Sequence, residues 1–143
     1  MTKSEQTILR AVQKNAQAAL DAIRTVESKV YDDAFAVDLN KQAVKYSEIK
    51  NRMTEKLREE KAEPYHDRMG EKAVIWGGIQ MNTMLNTSTS HIAEMMIQGN
   101  NRGITQMCRT LNHNDMAGKF AVEAAKELMD FEEKNIERMK QYL

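Results

Sequence analysis

The stretch Asn86–Gly103, "NTSTSHIAEMMIQGNNRG", decides how this chain is read. Five small polar residues and a histidine precede an apolar run, and the run closes on two glycines four residues apart. Stepping 100° per residue puts Val74, Gly77, Gly78, Met81, Leu85, Ser88, Ile92, Met95 and Met96 in one broad stripe. The spacing therefore predicts a long helix from about Asp67 to Gln98, with Asn86, Thr87 and Ser90 facing water and Ser88 facing inward. A buried serine can return its hydroxyl to the carbonyl one turn back and needs no ligand. Gly99 and Gly103 then read as a turn, followed by a short helix over about 104–111.

Working outward, breakers are few: one proline, Pro64, and six glycines in 143 residues. Helix-forming residues dominate the remainder, so the chain reads as all-α. A first helix runs from about Ser4 to Tyr31, burying Ile8, Val12, Ala16, Ala19, Ile23, Val26 and Val30. "DDAF" at 32–35 caps a second, which buries Phe35, Leu39, Ala43, Tyr46, Ile49, Met53 and Leu57 and ends near Ala62. A last helix, about Met116 to Tyr142, buries Phe120, Ala121, Ala124, Leu128, Phe131 and Met139. Single apolar stripes and short joints make an up-and-down four-helix bundle, with the short extra helix before the last long one. The chain is read as a single domain, 1–143, long enough to build its own core.

Charge excludes some functions. Lysine plus arginine and aspartate plus glutamate are both 21, leaving no net charge and no footprint for nucleic acid or an anionic membrane. No apolar run has the length of a signal peptide or a membrane span. Cys108 is the only cysteine, so the chain has no internal disulfide, and a reduced, cytoplasmic location is expected. Cys108 itself reads as a small buried hydrophobe. Seven of the eleven methionines fall between Met69 and Met116. They read as adaptable core filler, with a plastic groove or a copper(I) thioether site as sharper alternatives.

On the predicted third helix Ile75, Trp76 and Ile79 fall opposite the core stripe, and a lone tryptophan between isoleucines reads as a homodimer contact. Gly77, Gly78 and Ser88 form a small-residue seam that permits close helix approach or leaves room for a small apolar ligand. A metal centre has less support. The one Glu-x-x-His, Glu63 to His66, contains Pro64 and sits at a helix end rather than in a bundle interior. Glu132 lies near an apolar face with Asn135, where histidine would be needed. Asparagine is a weak ligand for iron. Glu132 and Asn135 instead read as an interior polar layer with Asn15 and Gln42. An iron or other transition-metal site on Glu63, His66 and Glu132 is the alternative to a protein without a cofactor.

The segments "HIAEMMIQGNNRGI" (91–104) and "AKELMDFEEKNIERMKQYL" (125–143) resemble those of a group of small, uncharacterised bacterial ferritin-like four-helix-bundle proteins. The resemblance implies a ferritin-like bundle with a crossing segment, a cytoplasmic location and no established activity; it maps no functional residues. The expected function is a non-enzymatic binding or structural homodimer.

Overall fold

A computed structural model describes residues 1–66, 75, 76, 78–81 and 84–143, and of Ile75 the backbone alone. Four helices pack side by side: α1 Lys3–Val26, α2 Asp33–Glu59, α3 Thr89–Asn112 and α4 Lys119–Lys140. A two-stranded hairpin, β1 Ile75–Trp76 and β2 Ile79–Gln80, is set into the connection between α2 and α3. No helix among the described residues is long and apolar enough to cross a membrane.

Local chemistry sets the helix ends. Thr2 accepts a hydrogen bond from the Glu5 amide at 3.1 Å, and the Thr2 amide donates to the Glu5 carboxylate at 3.2 Å. This reciprocal box satisfies donors that the first turn of α1 leaves free. The Asp32 carboxylate caps α2 through the Phe35 amide at 2.8 Å. Lys61, at φ 59°, ends that helix in the left-handed region. The Ser88 hydroxyl accepts from the His91 amide at 3.2 Å and starts α3.

Contacts between the ends fix the chain directions. Glu5, at the start of α1, accepts from the Gly118 amide at the start of α4, so these two helices run parallel. Lys56, near the end of α2, stands over the Phe120 ring at the start of α4. At the other end Asp38 of α2 takes a hydrogen bond from Arg138 at 3.3 Å and another from Tyr142. Helix α2 is therefore antiparallel to α4, and a short turn makes α3 antiparallel to it as well. The order is up, down, down, up: α2 and α3 run parallel, joined by the one long crossover. Short joints throughout would have alternated all four directions.

The four-helix bundle forms as the periodicity predicts, but its third helix is displaced along the sequence. Trp76 pairs with Ile79 and Ile75 with Gln80, and Gly78 takes φ +87° in the turn between them. A two-residue loop containing glycine, flanked by β-branched and aromatic residues, is a hairpin signature that outweighs the helical period. Helix α3 instead begins at Thr89 and runs unbroken through "QGNNRG" to Asn112, so the expected turn and separate short helix are both its interior. Ser88 is an exposed N-cap, not part of a buried seam, because the helix starts after it. Gly78 is an exposed turn residue. Gly77, and residues 67–74 of the expected helix, lie outside the described residues.

The glycines of α3 are where the helices close up. Gly99 and Gly103 are four apart on the stripe that also carries Ile92, Met96 and Met107, and all five are buried. A Cβ on Gly99 would fall inside the Trp76 indole, 2.6 Å from Cζ3. A Cβ on Gly103 would stand 2.8 Å from both Glu132 carboxyl oxygens and 2.9 Å from Asn15 Nδ2. Glycine inside a helix costs roughly 1 kcal/mol against alanine, so helix propensity alone predicts that Gly103→Ala stabilises. Packing predicts the reverse sign: an overfilled site costs about 1–3 kcal/mol. Urea denaturation of Gly103→Ala should show a net loss, and a gain would mean that Glu132 moves aside freely.

Trp76 is 2 % exposed and belongs to the core. Of the expected homodimer patch of Ile75, Trp76 and Ile79, the tryptophan is therefore not on an exposed apolar surface, and the Ile75 side chain lies outside the described residues. The tryptophan points into the bundle because the hairpin, not a helix, presents it, and Ile79 is half-buried. Two smaller expectations also change. Phe120, expected in the core, is 46 % exposed beneath the Lys56 ammonium, and Cys108 is exposed, with its thiol 3.6 Å from Met129 Sδ.

Candidate functional site

At mid-height each helix turns polar groups into the bundle axis: one side chain from α1 and from α2, one side chain and a bare backbone from α3, and two side chains from α4. Helix α1 supplies Asn15, α2 Tyr46, α3 Asn100 and Gly103, and α4 Glu132 with Asn135. Tyr46, Asn100 and Glu132 are fully buried, Asn135 is 3 % exposed and Asn15 is 7 % exposed. Such a layer survives in an apolar interior only if its hydrogen bonds are made.

They are made around the Glu132 carboxyl. Asn15 Nδ2 donates to Glu132 Oε1 at 3.1 Å and to the Gly103 carbonyl at 3.2 Å. These two acceptors fix the orientation of the Asn15 amide. Tyr46 Oη stands 3.1 Å from Glu132 Oε2 and 2.9 Å from Asn100 Oδ1, and receives a bond from Asn135 Nδ2 at 3.3 Å. The Phe131 ring meets the Tyr46 ring edge-on, with centroids 4.9 Å apart.

A phenol has one hydrogen and here faces two acceptors. Both contacts are satisfied together if Glu132 carries a proton. Glu132 then donates to Tyr46 Oη, and Tyr46 donates to Asn100 Oδ1. Burial drives the carboxyl the same way, pushing it up from 4.5 to about 8 against the opposing pull of the Tyr46 and Asn15 hydrogen bonds. Tyr46 is pushed well above its ordinary value by burial first and by the neighbouring Glu132 second. At neutral pH the layer is a chain of neutral groups. Among the described residues, Asn15 Oδ1 and Asn100 Nδ2 remain without a partner.

Burial and these hydrogen bonds together favour the protonated Glu132 carboxyl at neutral pH. Glu132 is fully buried, with the Gly103 backbone, Asn15 and Tyr46 standing against its oxygens. The metal set proposed from the sequence is not brought together. Glu63 and His66 meet at 2.8 Å in solvent, with side chains 77 % and 68 % exposed. The Glu63 carbonyl accepts from Arg10 at 2.6 Å, whereas Glu132 is bonded to Asn15. Arg10 and Asn15 lie about 140° apart around α1, so the two acids address different sides of that helix. No group of three or more histidine, cysteine, aspartate or glutamate side chains able to hold a metal ion forms among the described residues.

The expected polar layer of Asn15, Gln42, Glu132 and Asn135 is buried as a set. Gln42, 3 % exposed, lies to one side and donates weakly to Met139 Sδ at 3.9 Å. Sequence reasoning missed the other half of the cluster. Periodicity puts Tyr46 on the apolar face by its ring and says nothing of its hydroxyl. The glycines that flank Asn100 read as a turn, which takes it out of the helical stripe. The available signal was spacing: Ile92, Met96, Gly99, Gly103 and Met107 continue one helical stripe without interruption.

No family model matches this chain, and no curated protein or solved structure does so either.

Proposed function

We propose that this chain is a non-enzymatic, ferritin-like helical bundle that acts in the cytoplasm as a protein-binding or structural homodimer. The observation that carries the non-enzymatic part is the closure of the axial cluster. Its one carboxyl is fully buried, and both its oxygens are occupied by Asn15 and Tyr46. The single long crossover supports the ferritin-like comparison, since bundles of that type have one such connection.

The outer face of α2 supports the homodimer. Val37 and Val44 are each 53 % exposed, and their seven-residue spacing puts them on one stripe. A twofold axis passing between Asn40 and Lys41 sets Val37 of one copy against Val44 of the other, the self-complementary arrangement that closed dimers require. Sedimentation equilibrium tests this reading. The expected result is twice the chain mass for the wild type and the single-chain mass for Val37→Glu/Val44→Glu. A wild type that stays monomeric across the concentration range overturns the dimer, as does a variant that remains fully dimeric.

A further inference from the structure

A cleft of about 180 Å³ lies between α1, α2 and the strap Glu63–His66 that follows α2. It is rigidly built. Gln13, 2 % exposed, donates to Thr54 Oγ1 at 2.7 Å and accepts from the Tyr65 amide at 2.8 Å, which ties both helices to the strap. Arg10 fixes the strap again through the Glu63 carbonyl at 2.6 Å, and the Lys14 ammonium stands 6.0 Å from the centre of the Tyr65 ring.

The lining is one-sided in charge. Lys50, Thr54 and Arg58 fall at four-residue steps along α2, within an arc of about 80°, and all three line the cleft with Gln13 and Gln17 opposite. Among the described residues, no aspartate or glutamate lines it. Two carboxylates bond to lining residues from outside: Asp21 to Gln17 and Glu63 to His66, each at 2.8 Å. Among the described residues, neither Lys50 nor Arg58 has a carboxylate within ion-pair distance, although nearby Lys56 and Arg52 both do. In a chain with no net charge, two uncompensated cations facing one built cleft form a local anion field.

We propose that this cleft binds a small compound through a diphosphate group. The cleft is too small for a polymer. Lys50 and Arg58 are rooted about 12 Å apart along α2 and both line the cleft, two separated cations that match two linked anionic centres better than one. Arginine adds a planar fork suited to phosphate oxygens, and lysine a mobile point charge. The proposal is independent of the homodimer reading, because the α2 valines take no part in the cleft.

Inorganic pyrophosphate titrated into the full chain by calorimetry provides the test. The expected result is saturable one-site binding that weakens about tenfold or more in Lys50→Ala/Arg58→Ala, a loss of at least about 1.4 kcal/mol, and weakens further with added salt. Arg58→Lys should fall between the two, since it keeps the charge and loses the fork. Lys126→Ala, a charge removed from α4, should bind as the wild type does. Both cleft side chains reach solvent, and circular dichroism verifies that each variant is folded. The proposal is overturned by absence of saturable binding to the wild type, by unchanged affinity in the double variant, or by an equal loss in Lys126→Ala.

Discussion

Trp76→Ala lowers the unfolding free energy by about 3–5 kcal/mol, the range for removing a large aromatic side chain from a packed core. Trp76 is among the largest fully buried side chains, and it comes from a hairpin of two residues per strand. Such a hairpin has no independent stability. The indole is what attaches it to the bundle, filling the space that Gly99 leaves open on α3. Truncation therefore removes the ring and the fixed end of the crossover together. Because Trp76 is the only tryptophan, the unfolding curve must be followed by far-ultraviolet circular dichroism rather than by fluorescence. A second variant tests the pairing. Gly99→Ala alone should destabilise, because its Cβ collides with the ring. In the Trp76→Ala background the same change should become neutral or stabilising, since the collision is gone and alanine favours the helix. That change of sign is a coupling between two residues in contact. Additive effects would mean that the ring does not pack on Gly99, and a loss below about 1 kcal/mol for Trp76→Ala would place the hairpin outside the cooperative unit.

The stability that Glu132 contributes is expected to fall as pH rises from about 4.5 to about 8. The folded chain holds the Glu132 proton up to about pH 8, whereas the unfolded chain releases it near 4.5. Below 4.5 both states are protonated, and the contribution of the neutral carboxyl is fully present. Through the window between these values only the folded state keeps the proton, so each unit of pH removes up to about 1.4 kcal/mol. Above about 8 the contribution is gone. Among the described residues, no cation around the carboxyl offsets this. The groups facing it are Asn15 from α1, Tyr46 from α2, Asn100 and the Gly103 backbone from α3, and Asn135 from α4, none of them a cation. Glu132→Gln should abolish this slope, because a glutamine amide can donate to Tyr46 Oη while its oxygen accepts from Asn15. The variant should match the wild type at low pH and exceed it above pH 8. Urea midpoints from pH 5 to 9 decide the matter: a wild-type slope that survives in Glu132→Gln belongs to another group.

These two effects also separate what could be read from the chain from what could not. The all-helical class, an aspartate cap at 32 or 33, the buried stripes of α1, α2 and most of α4, and the interior placement of Glu132 and Asn135 follow from local rules. Periodicity and capping act over one or two turns, and the residues that obey them are close in sequence. The metal and dimer candidates were legible only as residue types, and the fold put Glu63 and His66 in solvent, away from Glu132, and Trp76 in the core. Three decisions needed the tertiary structure. Gly99 and Gly103 have poor helix propensity, and only the Trp76 ring and the Glu132 carboxyl pressed against them make glycine the residue that fits. The hairpin at 75–80 shares its residues with a plausible helical stripe, and burial of the indole favours the strand pairing. The partner of the Tyr46 hydroxyl lies 54 residues away in Asn100 and 86 away in Glu132. Sequence reports a residue's own preferences and those of its near neighbours; a hydrogen-bonded layer drawn from four helices exists only once their packing has brought distant residues within three ångströms of one another.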